Sequence, residues 1–179
     1  MQETKLRIRI LGDPVLRKKS RLIKKVTHDH TLILSQMAQM MYDSDGVGLA
    51  GPQVGLSESM IVVDAGTGLY KLINPKIIKK EGTQVNQEGC LSVPGVCVNV
   101  KRAKKVLIKA LDENGKALDI EAEDLLACVF QHEIDHLSGM MIVDHASFLD
   151  KIKLRKKLKS LNLANSHGLP EPEKKCSKL

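Results

Sequence analysis

Aromatic side chains are almost missing from this chain. Its 179 residues include no Trp, two Phe and two Tyr. A core must therefore be assembled from Leu, Ile, Val and Met, and sequence-specific reading of nucleic acid by base stacking is not expected. No apolar run approaches the length of a membrane span, and nothing at the N-terminus resembles a signal or transit segment. The four Cys, at 90, 97, 128 and 176, include no C-x-x-C pair. The expectation is a reduced, cytoplasmic protein with no membrane association. Residues 46–55 hold four Gly but lack the Gly-Lys-Ser/Thr ending of a phosphate loop, which argues against a nucleotide cradle.

What the chain has in excess is positive charge, and it is concentrated. The formal net charge is +7, and residues 17–25 and 151–159 each carry six Lys or Arg with no acid. Such blocks are usually solvated faces, yet a positive stripe also steers a protein toward polyanions such as ribosomal RNA. The length suits one domain with a real core. We place that domain at residues 1–165 and expect a disordered tail at 166–179, where Pro, charge and Ser dominate.

Periodicity outlines the elements between. Residues 5–11 alternate apolar and basic and then break at Gly12-Asp13-Pro14, which predicts a short edge strand. Helical spacing starts near Thr31, with a cap within 29–31, and stops at Asp43-Ser44-Asp45. Residues 59–64 and 69–74 read as strands around the turn at 65–68, with Pro75 at an edge. Residues 106–111 and 117–122 flank Asp112-Glu113-Asn114-Gly115, a strong hairpin signal. A last, poorly amphipathic helix is expected over 148–163, interleaved with the second basic block.

The densest chemistry lies in Gln131-His132-Glu133-Ile134-Asp135-His136, which continues the apolar run Leu125-Leu126-Ala127-Cys128-Val129-Phe130. On one buried helix, His132 and His136 share a face one turn apart and can serve a single ion, while Glu133 lies about 100° round beside it. Two His are by themselves more often surface or core residues than ligands, so a third ligand decides the matter. A His or Glu at the usual downstream places is missing. Cys128 would be about 12 Å from His136 along the axis, too far to share one ion. Cys90, in Gln87-Glu88-Gly89-Cys90-Leu91-Ser92, is either an inert buried thiol, a nucleophile or a ligand. With no independent His to pair with it, the ligand role is the economical reading.

Three segments, Gly46-Val47-Gly48-Leu49-Ala50-Gly51-Pro52-Gln53, Glu88-Gly89-Cys90-Leu91-Ser92 and Gln131 to His136, together resemble the three signature motifs of peptide deformylases, in order and with compatible spacing. The similarity extends over residues 6–160. The resemblance implies an α+β fold in which antiparallel sheets surround a central helix bearing the His-Glu-x-x-His motif, with a C-terminal helix. It implies one divalent metal on Cys90, His132 and His136, iron(II) natively, with zinc, nickel or cobalt accepted. The implied reaction is hydrolysis of the N-formyl group from N-formylmethionyl nascent peptides, releasing formate. In that scheme Glu133 moves protons, and the Gln53 amide and Leu91 backbone NH steady the oxyanion. Val47 and Gly48 offer backbone to the substrate, and Leu125, Cys128 and Val129 line a pocket for its Met side chain. The basic C-terminal helix is expected to dock on the ribosome.

Two positions depart from the family pattern. Gly51 stands where Ala is usual and is expected to loosen its loop, and Cys97 stands where Arg or Tyr is frequent, which bears on contacts to the peptide beyond the Met. Two other functions fit parts of the sequence. A metallopeptidase would share the His-Glu-x-x-His but not the Gln53 and Cys90 motifs. A non-catalytic ribosome-associated protein would explain the basic blocks but not the ligand set.

Overall fold

The structure, a computed structural model, describes residues 6–148 and 150–154. The expected tail at 166–179, Cys176 and most of the predicted 148–163 helix lie outside the described residues. A five-stranded antiparallel sheet has the order β1-β2-β3-β6-β7, formed by Gly48–Ala50, Met60–Val63, Tyr70–Glu81, Lys105–Leu111 and Ala117–Glu123. A separate hairpin-like sheet pairs β4 (Gln84–Glu88) with β5 (Val98–Arg102). The helices are α1 (His28–Asp43), α2 (Asp124–Leu137) and the single turn α3 (Ile142–His145). No helix among the described residues is long and apolar enough to cross a membrane.

The run Met60-Ile61-Val62-Val63 is apolar throughout because β2 is buried on both faces. Met60 and Val62 join Leu34, Met37 and Met41 of α1 in one core. Ile61 and Val63 turn the other way, to Ala127, Val129 and Phe130 of α2. Phe130 also meets Tyr70 edge to face, with ring centroids 5.3 Å apart. A strand's period of two thus sorts one continuous run into two cores. Helix α2 is consequently closed in along most of its length, with Ala127 to Glu133, His136 and Leu137 all buried.

The end of α2 is set by Gly139. With φ at +76° it accepts the left-handed turn that stops a helix. The NH of Gly139 donates to the His136 carbonyl and that of Met140 to the Asp135 carbonyl, at 3.1 and 3.0 Å. A Cβ there would sit 2.6 Å from the Arg17 carbonyl oxygen, so the same residue lets the first basic segment pack against the helix end.

Several sequence expectations need correcting. Residues 6–10 form no strand. Instead the NH groups of Arg9 and Leu11 donate to the carbonyls of Gln53 and Ser92, at 2.7 and 2.8 Å, tying two glycine-bearing loops together from behind. Strand β3 runs past Pro75 to Glu81. The missing NH is tolerated because β2 pairs only as far as Ile73, and Asn74 takes φ +53° at an irregularity in register. Helix α1 starts at His28, after Thr27, three residues earlier than its apolar spacing suggests. The 106–111 and 117–122 hairpin is present with one added residue at its open end on each strand. Strand β4 and the turn α3 were not anticipated. At the C-terminal side, residues 148 and 150–154 are helical.

Candidate metal centre

Three elements bring the site together. Helix α2 presents His132 and His136, with their Nε2 atoms 3.3 Å apart. The loop after β4 presents Cys90, whose Sγ lies 3.4 Å from His136 Nε2. All three donor atoms fall within 4.8 Å of one another. The segment β1 and the following 3-10 turn, Gly51–Val54, carries Gln53, buried at 1% exposure. The Gln53 side-chain Oε1 accepts from the Ala50 NH at 2.8 Å, which turns its NH2 toward Cys90 Sγ, at 3.5 Å, and Ser92 Oγ, at 3.3 Å. Cys90 is half-buried, and Leu91 is half-buried beside it.

His132 is oriented from behind. Glu88, fully buried at the end of β4, lies 2.9 Å from His132 Nδ1, which leaves the Nε2 lone pair facing Cys90 and His136. Arg102 holds Glu88 with a two-pronged grip, at 2.8 and 2.9 Å, and its third nitrogen reaches Asp135. Burial alone would raise the Glu88 pKa, but the hydrogen bonds from Arg102 and His132 outweigh it and hold the carboxyl at about 2. For Arg102 burial works against the charge and the two carboxylates raise its pKa. In His132 the Cys90 and Glu88 contacts outweigh burial and raise the pKa; in His136 burial, then the His132 charge, push it well below the usual range.

Glu133 has the opposite environment. It is buried, with no hydrogen-bond partner for Oε2 among the described residues. Burial is the main reason its pKa rises to about 7, against the pull of His132. An acid of that strength, on the helix that bears His132 and with its Oε2 unpartnered, suits proton transfer near neutral pH.

Gly48 abuts Glu133, and Val47 is half-buried against the α2 core. Val129 is buried in that core, whereas Leu125, in the first turn of α2, is 38% exposed. Cys128 is buried, receives a bond from Asn86 at 3.0 Å and lies 3.7 Å from Glu88 Oε1; it takes no part in the metal cluster. At Gly51 a Cβ would come 2.6 Å from the Glu58 carbonyl oxygen, so the two stretches of backbone approach closely there. Cys90 and Cys128 are free thiols.

Glu88, Arg102 and Asp135 were missed as site residues. A signal existed for Arg102. In Val98-Asn99-Val100-Lys101-Arg102 the alternation puts Arg102 on the same buried face as the two valines, and a cation there requires an acid nearby.

A thiol, two imidazoles and a buried acid arranged in this way are the equipment of a metal-dependent hydrolase. The comparisons with known proteins narrow the class. The family model for polypeptide deformylase matches residues 5–152. The peptide deformylase of Thermoanaerobacter pseudethanolicus is 52% identical over 145 residues, covering 80% of this chain and 91% of the relative. The crystal structure of the Thermus thermophilus enzyme superposes with a TM-score of 0.84 at 35% identity, over 88% of this chain and 98% of the other. That of the Legionella pneumophila enzyme gives 0.83 at 38% identity, over 92% and 99%. The chain belongs to the polypeptide deformylase family, metal-dependent enzymes that remove the N-formyl group from nascent peptides during protein biosynthesis. The expected α+β architecture is therefore present, and neither the metallopeptidase nor the non-catalytic reading is favoured.

Proposed function

We propose that Cys90, His132 and His136 hold one divalent ion, iron(II) in the native protein, and that the chain deformylates N-formylmethionyl peptides at this centre. The observation that carries the reading is the convergence of the three donor atoms within 4.8 Å in a buried setting. The donor set fits: one thiolate and two imidazoles suit iron(II) or zinc. An ion bound there supplies Lewis-acid polarisation and lowers the pKa of water to about 7.

This chain's residues do the rest. Glu133 accepts the proton of the attacking water on its carboxylate, whose Oε2 has no partner among the described residues, and returns it to the nitrogen as the formyl C–N bond breaks, so formate and a free amine leave. The Gln53 NH2, aimed by the Ala50 NH, and the Leu91 backbone NH donate to the formyl oxygen as it gains charge. Each such donor is worth about 3 to 4 kcal/mol of barrier. Val47 and Gly48 offer backbone to the peptide. Leu125 at the rim, with Cys128 and Val129 deeper on the same face of α2, receives the Met side chain.

The catalytic domain in this reading is residues 1–165, and the protein works in the cytoplasm. The helix that begins at Phe148 and carries exposed Lys151 and Lys153 docks on ribosomal RNA phosphates; Arg155, Lys156, Lys157 and Lys159 lie outside the described residues. The test of the activity is formate release from formyl-Met-Ala-Ser by protein prepared without oxygen, beside the same peptide lacking its formyl group. Formate from the first and no cleavage of the second is the expected pair of results. Peptide-bond cleavage without formate would contradict it.

A further inference from the structure

We propose that His145 is a positioning residue of the metal centre, acting on the His132 ring through Asp135, Arg102 and Glu88. The inference rests on the reading of His132 as a metal ligand. It starts from a continuous line of contacts. His132 Nδ1 meets Glu88 Oε2 at 2.9 Å, and both Glu88 oxygens are taken by Arg102 at 2.8 and 2.9 Å. Arg102 Nη1 donates to Asp135 Oδ2, and the same oxygen accepts from His145 Nε2 at 2.8 Å. A carboxylate oxygen only accepts, so His145 carries its proton on Nε2.

The four outer residues come from β4, β5, α2 and α3, and their burial falls off outward. Glu88 is 0% and Arg102 5% exposed, while Asp135 and His145 are 23% and 24% exposed. Arg102 is planar, so the fork it presents to Glu88 and the nitrogen it presents to Asp135 turn together. Of the three residues between His145 and His132, Asp135 is the one near water. With His145 in place, its Oδ2 is held by two donors; without it, the carboxylate is free to turn toward solvent and Arg102 loses its outer anchor. Glu88 has no solvent to turn to, so any tilt of Arg102 passes to the His132 ring. His145 itself sits on the single turn α3, which Ile142 and Val143 anchor in the core. Replacing the half-exposed His145 therefore removes no core side chain.

The experiment measures the rate at which a chelator strips iron or zinc from the purified holoprotein, together with kcat, KM and thermal midpoint, for wild type, His145→Ala and His145→Gln. Glutamine keeps a donor at the place of Nε2. His145→Ala is expected to lose metal about tenfold faster, the lower end for outer partners of metal-bound histidines, and to lower kcat with KM unchanged. His145→Gln should stay within about twofold of wild type. If His145→Ala matches wild type, or if Gln fails as badly as Ala, the positioning role is wrong. If wild type itself binds no metal, the ligand reading fails instead.

Discussion

Gly48 and Glu133 are in contact at the heart of the site: a Cβ on Gly48 would lie 2.8 Å from both Cγ and Cδ of Glu133 and overlap its Oε1. The need for glycine here is spatial. The backbone of an edge strand is the wall against which the buried carboxylate rests, and a methyl group would push Glu133 away from the donor cluster. Gly48→Ala should therefore keep its metal but lose about a hundredfold in kcat/KM, the scale of a displacement near 1 Å. Metal content and formate kinetics on one sample check this; near-normal turnover would show that the carboxylate is not placed by Gly48.

Glu133→Ala separates proton transfer from binding. Glu133 is not among the three clustered donors, so the variant should hold one ion per chain while turnover falls by about 10² to 10⁴, the range for a general acid-base. Loss of the ion in this variant would contradict the role.

Much of this site was legible because α2 is a local object. The i, i+4 spacing of His132 and His136 and the place of Glu133 beside them follow from helix geometry alone. Cys90 was reachable by elimination, since Cys128 is too far along the axis. The grip of Arg102 on Glu88 was not, because it joins strands paired only in three dimensions, Glu88 opposite Val98 in the β4-β5 register. Residues 6–10 misled for a related reason. Their alternation is real, but their partners are the carbonyls of two loops rather than a neighbouring strand.

Acid should unfold the protein partly through Glu88. Its folded pKa, about 2, lies below the ordinary 4.5. The stabilisation is therefore complete above pH 4.5 and is lost as pH falls from there toward 2, amounting to about 3 kcal/mol. Glu88→Gln should be destabilised at neutral pH, because Arg102 is left buried without its main partner. Its thermal midpoint should also fall less steeply between pH 4.5 and 2 than that of wild type. Parallel curves for the two proteins would show that Glu88 is not the group responsible.

Docking on ribosomal RNA should depend on salt. Lys151 and Lys153 are exposed on the C-terminal helix, and each phosphate contact releases counterions on binding. Co-sedimentation with ribosomes should weaken as salt rises, and Lys151→Glu with Lys153→Glu should weaken it further at low salt. Unchanged binding by the double variant would leave this part of the helix as a solvated face.

The claim that Cys90, His132 and His136 form the metal centre is tested most directly by counting metal ions per chain in anaerobically prepared wild type, Cys90→Ser and Cys97→Ser, with formate release measured on the same samples. The account predicts about one ion and full turnover for wild type and Cys97→Ser, and loss of both in Cys90→Ser. A Cys90→Ser protein that keeps its ion and its turnover, while Cys97→Ser loses them, would contradict it.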